Sequence, residues 1–164
     1  MSGPGASGAG LGCIAECTSG LTADELDRIT DHVQCTLSSA QGRRIFRQYL
    51  SEARRRTDVA CLELHEQCCR ALDDERLSRP GQEAAGVEPL LTDVGRALSL
   101  AEDLDGVPEI DLALLERYTE ALESRSRDAL LAVLEETKSR LMNHLRQAHK
   151  GFRAYAKQPR PRTG

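Results

Sequence analysis

The sequence predicts an all-α protein: a single compact bundle of five to seven helices, the last of them long. Three observations carry this expectation. Apolar side chains recur at steps of three and four along most of the chain, the spacing of one helical face. No run of alternating β-branched residues supports a strand. Aromatic residues make up only 3% of the 164 and Trp is absent, which leaves Leu, Ala, Val, Ile and Cys to build the core and favours helices over sheets.

At this length the chain suits one domain with tails. Residues 1–20 are Gly-, Ser- and Ala-rich and are expected to be disordered, because they bury too little surface to offset their ordering entropy. The helical domain is expected over 21–156, followed by a basic, Pro-rich tail over 157–164.

Thr22 and Glu25 form a capping-box pattern ahead of Leu26, Ile29, Val33 and Leu37, a first amphipathic helix. Ser38 or Ser39 then caps a second, whose apolar face is Ile45, Phe46, Tyr49, Leu50 and Ala53. Thr57 and Asp58 are N-cap types for a third helix carrying Cys61, Leu62, Leu64, Cys68, Cys69 and Leu72. The Pro- and Gly-containing stretch 79–86 reads as a loop. Glu88 and Pro89 open a helix that Gly106 and Pro108 close, and Asp111 starts another with Leu114, Leu115, Tyr118 and Leu122. Ser126 and Asp128 cap the longest helix, whose seam runs through Leu130, Leu134, Thr137, Leu141, Leu145, Ala148, Phe152 and Tyr155. That narrow apolar seam is of the coiled-coil or bundle kind.

Composition excludes several functions. With 26 acidic against 22 basic side chains, nonspecific nucleic-acid binding is not expected. The longest apolar stretch, residues 129–134, is far short of the roughly 20 residues of a membrane span. The N-terminal segment has neither the basic start nor the apolar block of a secretory signal, so the six cysteines are expected to be reduced thiols of a cytoplasmic protein. Cys13 and Cys17 have zinc-like spacing without a second pair to complete four ligands, and no metal or cofactor is expected. His65 beside Cys61, Cys68 and Cys69 is the nearest approach to a nucleophile with a base, and it reads as a half-exposed structural histidine. Phosphate-loop and dinucleotide motifs are missing, so the chain is not expected to be an enzyme.

One basic cluster stands out: Arg43, Arg44, Arg47, Arg54, Arg55 and Arg56, either a solvated face or a docking surface for an acidic protein or an anionic membrane. The segment GRRIFRQYL at 42–50, followed by Asp58 and an apolar helix over 59–72, resembles the middle of a regulator-of-G-protein-signalling homology domain, closest to the G-protein-coupled receptor kinase branch. That resemblance implies an all-helical module for signalling. In such regulators an Asn steadies the G protein's switch regions, but the only Asn here is Asn143, and Cys61 and Leu62 replace an aromatic pair. It therefore implies binding without acceleration of GTP hydrolysis.

These readings converge on a non-catalytic adaptor with Arg43, Arg44, Arg47 and Tyr49 as contacts for a G-protein or receptor-signalling component. The alternative is a helical subunit of a multiprotein assembly or homo-oligomer that presents Leu141, Leu145 and Phe152 of the long seam to its neighbour.

Overall fold

The computed structural model of the chain describes residues 21–77 and 86–157. The readings for residues 1–20, for most of the 79–86 loop and for the tail from Gln158 lie outside the described residues. Seven helices and no strand occur among those described.

Helix α1 (Ala23–Thr30) starts at its capping box. Thr22 Oγ1 accepts from the Glu25 amide and the Glu25 carboxylate accepts from the Thr22 amide, both at 3.0 Å. The periodicity from Leu26 to Leu37 predicts one continuous helix, and here the structure differs. His32 is extended (φ −134°, ψ 155°), and a separate helix α2 (Val33–Ser38) follows. The cause is a tertiary hydrogen bond: buried Thr36 donates to the Ile29 carbonyl at 2.7 Å. That carbonyl belongs to the last turn of α1, and an unbroken helix would have paired it with the amide four residues on.

Of the two serines offered as caps, Ser39 opens α3 (Ala40–Glu52), accepting from the Gly42 amide at 3.1 Å. The helix ends in a Schellman turn. The Arg54 amide donates to the Ser51 carbonyl at 3.1 Å and the Arg55 amide to the Leu50 carbonyl at 2.9 Å. Arg54 holds the left-handed conformation (φ 61°) in which Gly is usual.

At Gly42, α3 passes so close to α2 that an added Cβ would stand 2.4 Å from the Thr36 carbonyl oxygen and 2.9 Å from Ile29 Cγ2. In an open helix Gly→Ala stabilises by about 1 kcal/mol. Here the sign reverses: Gly42→Ala is expected to destabilise by about 1–3 kcal/mol through overpacking, seen as a lower urea midpoint with an unchanged slope. A raised midpoint would show that α2 moves aside freely.

The remaining helices are α4 (Arg56–Leu77), α5 (Glu88–Glu102, with Pro89 in its first turn), α6 (Leu112–Ser124) and α7 (Arg127–Lys157). Of these, α4 begins before its expected caps: Thr57 and Asp58 lie inside its first turn, because the chain enters the helix directly from the Schellman turn at Arg54 and Arg55. Asp111 Oδ1 caps α6 by accepting from the Leu114 amide at 3.0 Å, and Ser126 Oγ accepts from the Ala129 amide at 3.3 Å at the start of α7. None of the described helices is long and apolar enough to cross a membrane.

The described residues fall into two compact units, one of residues 21–59 with 145–157, the other of 60–77 with 86–144. In the first, Ile45, Phe46 and Leu50 of α3 are fully buried, as are Leu145 and Phe152 of α7. The Phe46 and Phe152 ring centroids lie 4.9 Å apart, and Tyr49 adds rings at 6.5 Å from Phe46 and 5.6 Å from Phe152. In the second unit, α5 and α6 pack on each other and Leu62, Leu64, Val94, Leu114, Leu130 and Leu134 are fully buried.

That second core also holds a satisfied polar chain. Thr137 Oγ1 donates to the Val133 carbonyl at 2.7 Å, so the Tyr118 hydroxyl, 2.6 Å away, must donate to Thr137. Burial pushes the Cys68 thiol up to about 12, so Cys68 stays protonated and inert at neutral pH.

Candidate functional site

The sequence-predicted contacts separate once their surroundings are known. Arg44 is exposed, whereas Arg43 and Arg47 are half-buried, and Arg43 Nη1 donates to the Leu37 carbonyl at 2.8 Å. Arg43 thereby closes the C-terminal end of α2. Tyr49 is half-buried in the aromatic cluster, 5.1 Å from the Tyr155 ring. Leu141, Leu145 and Phe152, expected to be open in the assembly alternative, are all 0% exposed. The long seam is covered by the chain itself, and for Phe152 the covering side chains include Phe46 and Tyr49.

The densest basic feature lies at the corner between α3 and α4. The Schellman turn reverses the chain over Arg54 and Arg55, and α4 begins at once with Arg56. Arg54, Arg55 and Arg56 thus border a cleft of about 450 Å³, together with Ser51 and Val59. Arg55 Nε donates to Asp58 Oδ2 at 2.8 Å. Arg54 and Arg56 are exposed. The cleft's only sequence signal is the Arg run itself, because residues 54–56 border one cleft only once α3 stops in a left-handed turn.

A second polar centre lies in the same unit. His149 is only 5% exposed, with the Phe46 ring at 5.6 Å and the Phe152 ring at 5.4 Å. Its Nε2 is 2.6 Å from Thr36 Oγ1. The Thr36 proton is already given to Ile29, so Nε2 carries the proton and donates. Burial, reinforced by nearby His32 and the Arg153 guanidinium and opposed by Asp31, lowers the His149 pKa from 6.5 to about 4. Asp31, His32, Arg146 and Lys150 line the opening beside it, and Arg153 pairs with Asp27 at 2.8 Å.

This has a consequence for stability. The unfolded imidazole titrates near 6.5 and the folded one near 4, so below pH 6.5 the unfolded chain binds the extra proton. The contribution of neutral His149 is complete above pH 6.5 and is lost as the pH falls towards 4, up to about 3 kcal/mol in all. Urea midpoints at pH 7 and pH 4.5 should differ accordingly, and His149→Phe should flatten the difference. Equal midpoints for the unaltered protein would mean that the imidazole is solvated in the folded state.

His65, expected to be half-exposed, is buried at 4% exposure, and its Nδ1 lies 3.6 Å from Cys69 Sγ. The pair is one helical turn apart on α4, where side chains four residues apart meet. Cys69 is half-buried and Cys35 exposed. Cys13 and Cys17 lie outside the described residues.

Compared with protein-family models, with curated proteins and with solved structures, the chain has no match.

Proposed function

We propose that this protein is a non-catalytic helical interaction module of intracellular signalling, which docks an acidic surface of a G-protein or receptor-signalling component. The observation that carries this reading is the cleft of Arg54, Arg55 and Arg56, with Asp58 as the carboxylate paired there. Arg44, on α3, is also exposed. Arginine suits such a role because its planar fork binds carboxylates bidentately and remains charged.

The likeness of 42–50 to a regulator-of-G-protein-signalling homology domain supports the partner class, and Gly42, Ile45, Phe46 and Leu50 of that segment all face inward. The burial of Leu141, Leu145 and Phe152 favours this reading over an assembly subunit, which needs those side chains open.

The test is retention of purified heterotrimeric G protein by the immobilised full chain, beside an Arg44→Glu, Arg54→Glu, Arg56→Glu variant with an unchanged circular dichroism spectrum. Reversal of three charges is expected to weaken retention by at least about tenfold and to abolish its salt dependence. Equal retention by both proteins, or by neither, overturns the reading.

A further inference from the structure

The charge and size of the arginine cleft specify more than acidity in general. Three arginines border it, and the Asp58 carboxylate paired with Arg55 neutralises one of them. Two positive charges are left in excess. A phosphate monoester carries a charge of about −1.5 to −2 at pH 7 on three strong acceptor oxygens, whereas a carboxylate offers one charge on two. Arg54 and Arg56 stand on either side of Arg55 in the chain, and Ser51 lines the same cleft.

Size points the same way. At about 450 Å³ the cleft lies within the roughly 300–1,000 Å³ range of sites for organic ligands, and so has room for a side chain and its flanking backbone beyond the oxyanion. Val59 supplies an apolar wall for the carbon atoms of such a side chain. The backbone of the corner is fixed in advance by the two Schellman hydrogen bonds at 3.1 and 2.9 Å, and the Arg55 side chain by its pair with Asp58 at 2.8 Å.

We propose that the Arg54–Arg55–Arg56 cleft recognises a phosphorylated serine or threonine side chain on a protein partner. This rests on the docking reading above and adds to it a phosphorylation requirement: the partner is held only after a kinase-type reaction has placed the phosphate. Recognition would be by charge-assisted, bidentate N–H donation from Arg54 and Arg56.

The experiment is fluorescence anisotropy with the full chain and three labelled Gly/Ala peptides that differ only at a central residue, as phosphoserine, aspartate or serine. The phosphoserine peptide is expected to bind about tenfold or more tightly than the aspartate peptide and to weaken as salt is raised. An Arg54→Gln, Arg56→Gln variant should lose that preference, while Arg117→Gln, exposed on α6 and outside the cleft, should keep it. Equal affinity for the phosphoserine and aspartate peptides overturns the phosphate inference and leaves acidic docking standing. Undiminished phosphopeptide binding by the double Gln variant overturns the assignment to this cleft. Binding to phosphatidylserine vesicles without binding to the phosphopeptide overturns it in favour of a membrane, and failure to bind any peptide overturns it outright. None of these outcomes alters the G-protein retention result on which the docking reading is judged.

Discussion

Leu141→Asp combined with Leu145→Asp is expected to unfold the protein, and not to leave a folded chain that has merely lost a partner. Both leucines are completely inaccessible in the isolated chain. An aspartate at either site has to shed its hydration with no cation provided for it, a cost of several kcal/mol per site, and each change also removes a leucine's buried apolar surface, about 2 kcal/mol more. Together these terms approach or exceed the whole stability of a small domain, about 5–15 kcal/mol. The far-ultraviolet circular dichroism signal at 222 nm should collapse at neutral pH. A fully helical, monomeric variant that fails only to associate would reverse the conclusion and make the α7 seam an interface after all.

The second large effect is expected at Phe46. Its ring is fully buried, 4.9 Å from Phe152, edge-on to His149 at 5.6 Å and stacked on Tyr49 at 6.5 Å. Phe46→Ala removes the centre of this cluster, and the usual cost of such a truncation is about 3–5 kcal/mol, the loss of apolar transfer plus a residual cavity. The same change lets water reach His149, so the folded imidazole should titrate closer to 6.5 and the loss of stability on acidification should shrink. Two measurements therefore move together: the denaturant midpoint falls, and the gap between pH 7 and pH 4.5 narrows. A lowered midpoint with an undiminished gap would show that the nearby charges, and not burial against Phe46, govern His149.

Where some helices begin, and which side of each helix is apolar, was legible in the sequence because both are local. A capping oxygen reaches an amide two or three residues away, so Thr22 and Ser126 could be recognised from neighbours alone, whereas Ser38 and Ser39 are equivalent by that rule, and Thr57 and Asp58, expected as caps, lie inside a helix that starts at Arg56. The seam of α7 was legible for the same reason, and its members from Leu130 to Phe152 are indeed buried. Periodicity, however, reports that a face is apolar without saying what covers it, and Leu141, Leu145 and Phe152 read equally well as core or as interface until their zero exposure was known.

The features that only the folded chain decides are those joining distant residues. The interruption between α1 and α2 depends on Thr36 bonding Ile29 and His149, the latter 113 positions away. The divergent fates of the arginines have the same origin: Arg43 folds back on a carbonyl of α2, whereas Arg54–Arg56 are gathered around a cleft by the left-handed end of α3. An amphipathic pattern is a property of a segment, but the cost of burying a polar atom or the use of an exposed charge depends on which partner the tertiary fold brings within hydrogen-bonding distance.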